Sequence, residues 1–280
     1  MASKTFRISL LIAVGSFALS PAAGASQQDE SASDRCSNAS LSGTYGFLHG
    51  GVDSNGAPNS AAVSQLTFDS TTGTFTGGTT SSHDGVIVTF SFAGTYAVAS
   101  NCTGTGAPAG ANRFSFVITS TGFLATHGVS SQGFAVKQGS STCTNAGVKG
   151  SLGLQTTGVF VAGAPVTGPV AFIGELKLSV NASGDGVIGG HIAGGDEDTT
   201  FTFSEEPVTG TYSVNSDCSG TATIKPKGRS KMHFSLVVVD CGKEMLAIET
   251  DAGAVVSGTL VRDSDEEGRA AECEPAQNQQ

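Results

Sequence analysis

Two passages of this chain recur about one small-domain length apart. Cys36-Ser-Asn-Ala-Ser-Leu-Ser-Gly-Thr-Tyr-Gly-Phe47 returns as Cys143-Thr-Asn-Ala-Gly-Val-Lys-Gly-Ser-Leu-Gly-Leu154. Gly94-Thr-Tyr-Ala-Val-Ala-Ser-Asn-Cys-Thr-Gly-Thr105 returns as Gly210-Thr-Tyr-Ser-Val-Asn-Ser-Asp-Cys-Ser-Gly-Thr221. A unit of about 100 residues is too long for a solenoid repeat and is the size of a domain with its own core. The expectation is two copies of one domain, residues 36–138 and 143–263, joined by the short 139–142 segment.

Inside each copy the apolar period is two. Val86, Val88, Phe90 and Phe92 share a face opposite Ile87, Thr89 and Ser91. Val170, Phe172, Leu176, Leu178 and Val180 lie opposite Glu175 and Lys177, and Phe114/Phe116/Ile118 and Phe234/Leu236/Val238 repeat the pattern. Turn residues punctuate these runs at 54–56, 71–73, 183–186, 240–242 and 251–253. Alternation with such punctuation predicts antiparallel strands, roughly seven or eight per copy. A meander of that number removes its exposed edges by closing. The fold expected is all-β: two tandem up-and-down barrels. The alternatives are β-sandwich repeats or one larger sheet shared by both copies.

The N-terminus reads as an export signal over residues 1–25. Lys4 and Arg7 precede an apolar run from Ile8 to Leu19, too short to span a bilayer, and Ala23-Gly24-Ala25 fits a cleavage site. Residues 26–35 are polar and read as disordered, and 264–280 form an acidic tail. No later segment is long and apolar enough to insert in a membrane. Six cysteines without metal spacing fit disulfides in an oxidising compartment, secreted or periplasmic. A bond kept through duplication pairs Cys36 with Cys102 and Cys143 with Cys218, and leaves Cys241 for Cys273. The competing scheme links the copies through Cys36–Cys143. The formal charge of −10 disfavours nucleic acid and anionic membranes as partners. The absence of Trp and the scarcity of Tyr weaken a carbohydrate-platform reading.

The run Val238-Val-Asp-Cys-Gly-Lys-Glu-Met-Leu-Ala-Ile-Glu-Thr-Asp-Ala-Gly-Ala-Val-Val-Ser-Gly-Thr-Leu-Val-Arg262, with the Gly-Thr-Tyr…Asp-Cys-Ser-Gly-Thr passage before it, resembles a family of uncharacterised exported bacterial β-proteins. That resemblance implies fold and export, and no activity. The first copy departs from it: Ser120-Thr-Gly-Phe-Leu-Ala-Thr-His127 lacks the Lys/Glu/Asp set of the second. In topology alone each copy is similar to calycin-type barrels such as lipocalins and avidins, and fold does not fix function.

Few residues carry chemistry. Asp263, Asp265, Glu267 and Glu274 fall at calcium-loop spacing but lack flanking helices, so a solvated acidic tail is the stronger reading. Asp196-Glu-Asp198 with His191 reads as surface, and Lys225–Lys231 as a charged hairpin tip that keeps an edge soluble. Gly-Thr-Tyr at 43–45, 94–96 and 210–212 reads as strand architecture. The five histidines are scattered, and no nucleophile elbow, zincin helix or phosphate loop is present, so no cofactor is expected. Phe90, Phe92, Phe114 and Phe116 are the candidate lining of a ligand-holding interior; a filled core is the default for so small a barrel. The function expected is a non-catalytic structural or extracellular interaction role. The alternative is carriage of a small apolar molecule in a barrel. A barrel-cavity enzyme, with Glu175, Glu244 or Glu249 as acid or base, ranks third.

Overall fold

The computed structural model describes residues 36–128, 130–139, 143–196 and 202–263. The segment expected to be an export signal (residues 1–25), the polar 26–35 segment, Cys273 and the tail acids Asp265, Glu267 and Glu274 lie outside these residues. Sixteen strands follow in order. The first eight are β1 (Gly43–Val52), β2 (Pro58–Asp69), β3 (Thr74–His83), β4 (Val86–Val98), β5 (Thr103–Pro108), β6 (Phe114–Ile118), β7 (Gly122–His127) and β8 (Ser131–Lys137). The second eight are β9 (Gly150–Phe160), β10 (Gly168–Val180), β11 (Gly186–Asp196), β12 (Phe203–Val214), β13 (Ser219–Pro226), β14 (Met232–Val239), β15 (Glu244–Glu249) and β16 (Ala254–Arg262). Each set pairs consecutively and antiparallel, and its last strand closes on its first. The protein is therefore two closed eight-stranded up-and-down barrels, and neither a sandwich nor one shared sheet. No helix among the described residues is long and apolar enough to cross a membrane.

Alternation decides what fills each barrel. In barrel 1 the inward positions are largely aromatic. Phe68 meets Tyr45, Tyr96 and Phe123 edge-on at centroid distances of 5.6, 5.0 and 5.7 Å. Such T-shaped contacts match ring edge to ring face. Space for the rings comes from β5, whose inward positions include Gly104 and Gly106; a Cβ there would strike Phe116 and Phe114 respectively. Barrel 2 is filled by aliphatic side chains instead, among them Leu152, Leu176, Ile188, Leu236, Met245 and Leu260. The space left among them is ≈ 10 Å³, no more than about one water probe.

Both barrels are plugged at one end in the same way. A short 3₁₀ turn, Asn38–Ser40 or Asn145–Val148, precedes the first strand. Asn38 Oδ1 accepts from Val98 N–H, and Tyr96 Oη donates to the Asn38 and Leu41 carbonyls. In barrel 2, Asn145 Oδ1 accepts from Val214 N–H while Tyr212 Oη donates to the Asn145 carbonyl. Disulfides Cys36–Cys102 and Cys143–Cys218 tie each plug to the turn after the fourth strand. Cys102 and Cys218 both have φ near +70° (65° and 70°), a backbone fold that each turn requires.

The barrels pack side against side. In β2, Ala61 and Val63 are as buried as Ala62 and Ser64, so both faces of the strand are covered. The outward side chains of β1 and β2 (Leu48, Ala61, Val63) meet Val237 and Val239 of β14, Leu246 and Ile248 of β15 and Val255 of β16. At Gly46 a Cβ would collide with Val239 and lie 2.9 Å from a Val237 methyl. Polar contacts rim the seam. Gln65 Nε2 donates to the Asp217 carbonyl, Ser82 Oγ to the Ala254 carbonyl, and Gly253 N–H to the Gly85 carbonyl at 2.9 Å.

Replacing Gly46 with Val puts a branched side chain where the seam has no room. Overpacking of this kind costs about 1–3 kcal/mol. Urea unfolding of Gly46→Val is expected to show a midpoint lowered by that free energy divided by the slope, with the slope unchanged. An unshifted midpoint contradicts the seam packing.

Candidate functional site

The mouth of barrel 1 is the place where inward-facing groups meet solvent. β4 outruns its neighbour: β5 pairs only with Gly94–Val98, while β3 follows β4 back to Val86. Residues 86–92 of β4 thus have no strand partner on their second side among the described residues. Val86 and Phe90, inward by alternation, are 64% and 52% exposed. Phe92 sits lower, half-buried against Phe75. Phe47 contributes a further half-buried ring, with His49 stacked on it at 4.9 Å.

Across the mouth lies a histidine pair that strand closure creates. His49 of β1 pairs with Gly133 of β8, and Gly133 pairs with Ala125 of β7. His127 follows two residues on, on the same inward face. Gly133 leaves the space that His49 uses, since a Cβ there would lie 2.5 Å from that of His49. His49 Nδ1 is buried and makes no hydrogen bond. Burial first, and the nearby His127 second, push its pKa down from 6.5 to about 4.

Barrel 2 has different residues at the corresponding places. Thr156 pairs with Gly258, Gly258 pairs with Ala247, and Glu249 follows two residues on. Glu249 is inward, opposite Phe234, and buried. Its Oε2 and Thr156 Oγ1 make no hydrogen bond. Burial, reinforced by the Asp251 carboxylate, raises the Glu249 pKa from 4.5 to about 8. Neither pair is legible as a pair in sequence. Each needs the pairing of the last strand with the first, and that becomes visible only on closure.

The four phenylalanines separate. Phe116 is buried and Phe114 half-buried in the packed ring floor. Phe90 opens onto the mouth and Phe92 marks the boundary between the two. The three candidate acids do not converge. Glu175 is exposed on the outer face of β10; Glu244 begins β15 and is half-buried; only Glu249 faces an interior. Burial, then Asp240, raises the Glu244 pKa. Among the described residues no group of three or more His, Cys, Asp and Glu is placed to hold a metal ion. Asp263 anchors its backbone N–H on the Ser151 carbonyl at 3.1 Å. The basic Lys225–Lys231 segment spans the end of β13 and the turn that leads into β14. Two open depressions of ≈ 750 Å³ each lie outside the barrels. One is on the outer face of β4–β7 and the other between the barrels, lined by Gly51, Ser60, Gln132, Thr157 and Ser257.

No protein-family model and no curated protein matches the chain. Among solved structures it is similar to a protein of unknown function from the DUF3598 family of Nostoc punctiforme. The match has 12% identity and a TM-score of 0.23, and it covers 80% of this chain and 95% of that one.

The two buried groups give stability opposite pH slopes. Glu249 ionises near 4.5 unfolded and about 8 folded, so its contribution is complete below 4.5 and is lost as pH rises through 8. His49 takes its proton near 6.5 unfolded and about 4 folded, so its contribution is complete above 6.5 and is lost as pH falls through 4. The two effects offset between 4.5 and 6.5. Above 6.5 only Glu249 acts, at up to about 1.4 kcal/mol per pH unit. Glu249→Gln is expected to flatten the alkaline limb of stability against pH, and His49→Gln the acid limb. Urea unfolding at a series of pH values reads both; a Glu249→Gln curve parallel to wild type contradicts the assignment.

Proposed function

We propose that the chain is an exported, non-catalytic β-barrel protein that works by contact through its outer surface. One observation carries this reading: the barrel interiors are filled, whereas the large open volumes lie outside them. The ring-packed floor of barrel 1 and the ≈ 10 Å³ left in barrel 2 argue against a molecule carried in either interior. The separation of Glu175, Glu244 and Glu249 onto different faces supports a non-catalytic role. Export is supported by the two disulfides, which fit an oxidising compartment, and by the N-terminal sequence pattern.

A second reading has its own observation. Val86 and Phe90 expose apolar surface on an inward face, across from a buried imidazole nitrogen without a partner. That mouth suits a small apolar molecule with one hydrogen-bonding group.

Native against denaturing mass spectrometry of the oxidised protein separates the two readings. Surface function predicts the bare mass of each assembled species in the native spectrum. An additional small mass that is lost on denaturation, and weakened by Phe90→Ala, contradicts it and favours the ligand at the mouth.

A further inference from the structure

The seam between the barrels joins unlike faces, and each barrel carries both kinds. Barrel 2 contributes its β14–β15 face, centred on Val237 and its cross-strand partner Leu246. Val237 also pairs with Ser219, the residue after disulfide-bonded Cys218. In barrel 1 the corresponding trio is Thr103 after Cys102, Val117 paired with it, and Leu124 paired with Val117. Val117 and Leu124 therefore occupy the places of Val237 and Leu246, but nothing among the described residues covers them: they are 41% and 53% exposed. They line the ≈ 750 Å³ depression on the outer face of β4–β7.

The other half of the seam also has a second copy. Barrel 1 contributes Val63, paired with Leu48, and Gln65, paired with Gly46. In barrel 2 the corresponding pairs are Ile173 with Gln155 and Glu175 with Gly153. Ile173 takes the place of Val63 and is 61% exposed. Each barrel thus presents the apolar centre of one half-seam, and the two halves are complementary.

We propose that copies of this chain associate head to tail, the Ile173 face of barrel 2 in one copy docking on the Val117–Leu124 face of barrel 1 in the next. The occupant is a second copy because the seam inside the chain already shows faces of this kind packed together. The contact is heterologous, so copies chain one to the next, into a closed ring or an open filament according to the rotation between them. It is also weaker than the seam. Gln155 replaces Leu48, and Thr126 replaces Ile248, so the apolar centre is kept while its border has become polar. The association is therefore reversible and concentration-dependent.

The proposal deepens the surface-contact reading by naming the partner, and the two fail separately. Sedimentation velocity from low to high micromolar concentration is expected to show a weight-average mass climbing past twice that of the monomer. Leu124→Glu and Ile173→Glu are each expected to remain monomeric, with wild-type circular dichroism, since both positions face solvent. Mixed one to one, they are expected to form a dimer and nothing larger, because each retains the end that the other lacks. Gln155→Leu with Thr126→Ile restores the seam's apolar border and is expected to tighten association at least tenfold. A wild-type chain that stays monomeric throughout overturns the proposal, as does assembly that neither glutamate variant reduces, or dimerisation of Leu124→Glu alone. A monomer with a bare native mass leaves surface contact with a foreign partner standing; a bound small molecule overturns the surface reading itself.

Discussion

The side-by-side seam is the constraint on which the rest of the molecule depends. An eight-stranded barrel needs one apolar face, the one turned inward. Here β2, β14 and β15 are apolar on both faces, and Val239 and Leu246 are fully buried. Exposed, those outward faces would form a patch of the kind soluble monomers avoid. Barrel 1 and barrel 2 therefore need one another, although each closes its own hydrogen-bonded ring. Glycine at position 46 and the hydrogen bonds of Gln65, Ser82 and Gly253 fix the register of the two barrels.

Filling follows from the same small circumference. Rings dominate barrel 1 and aliphatic chains barrel 2, so two different side-chain sets solve one geometric problem. The aromatic solution has a consequence at the mouth. The β3–β4 hairpin outruns short β5 and β6, and its inward side chains pass beyond the packed floor into solvent. In barrel 2 the polar residues sit within the filled interior, and Glu249 stays protonated up to about pH 8. The polar pairs His49/His127 and Thr156/Glu249 mark corresponding places that differ in chemistry on the same backbone pattern.

Much of the fold is legible in the sequence. Alternation at 86–92 and 170–180 gave strands with the correct inward faces, and the recurrent Cys and Gly-Thr-Tyr passages gave the two disulfides. The seam was not read, although it leaves a trace: alternation breaks down at Ala61–Val63, Leu236–Val239 and Met245–Ile248, where both faces are apolar. Such runs mark strands covered on both sides. The mouth was half readable. Phe90 and Phe92 were identified as a face, but whether a ring lies in the floor or the rim depends on how far β5 extends. The five histidines read as scattered in sequence because the proximity of His49 and His127 depends on barrel closure, which joins residues far apart in the chain.

Hydrogen exchange read by mass spectrometry across a urea titration tests the seam most directly. If the barrels depend on one another, peptides from β1–β3 and from β14–β16 lose protection at the same urea concentration, in one cooperative step. Loss of protection in one barrel while the other keeps its full protection would contradict the account.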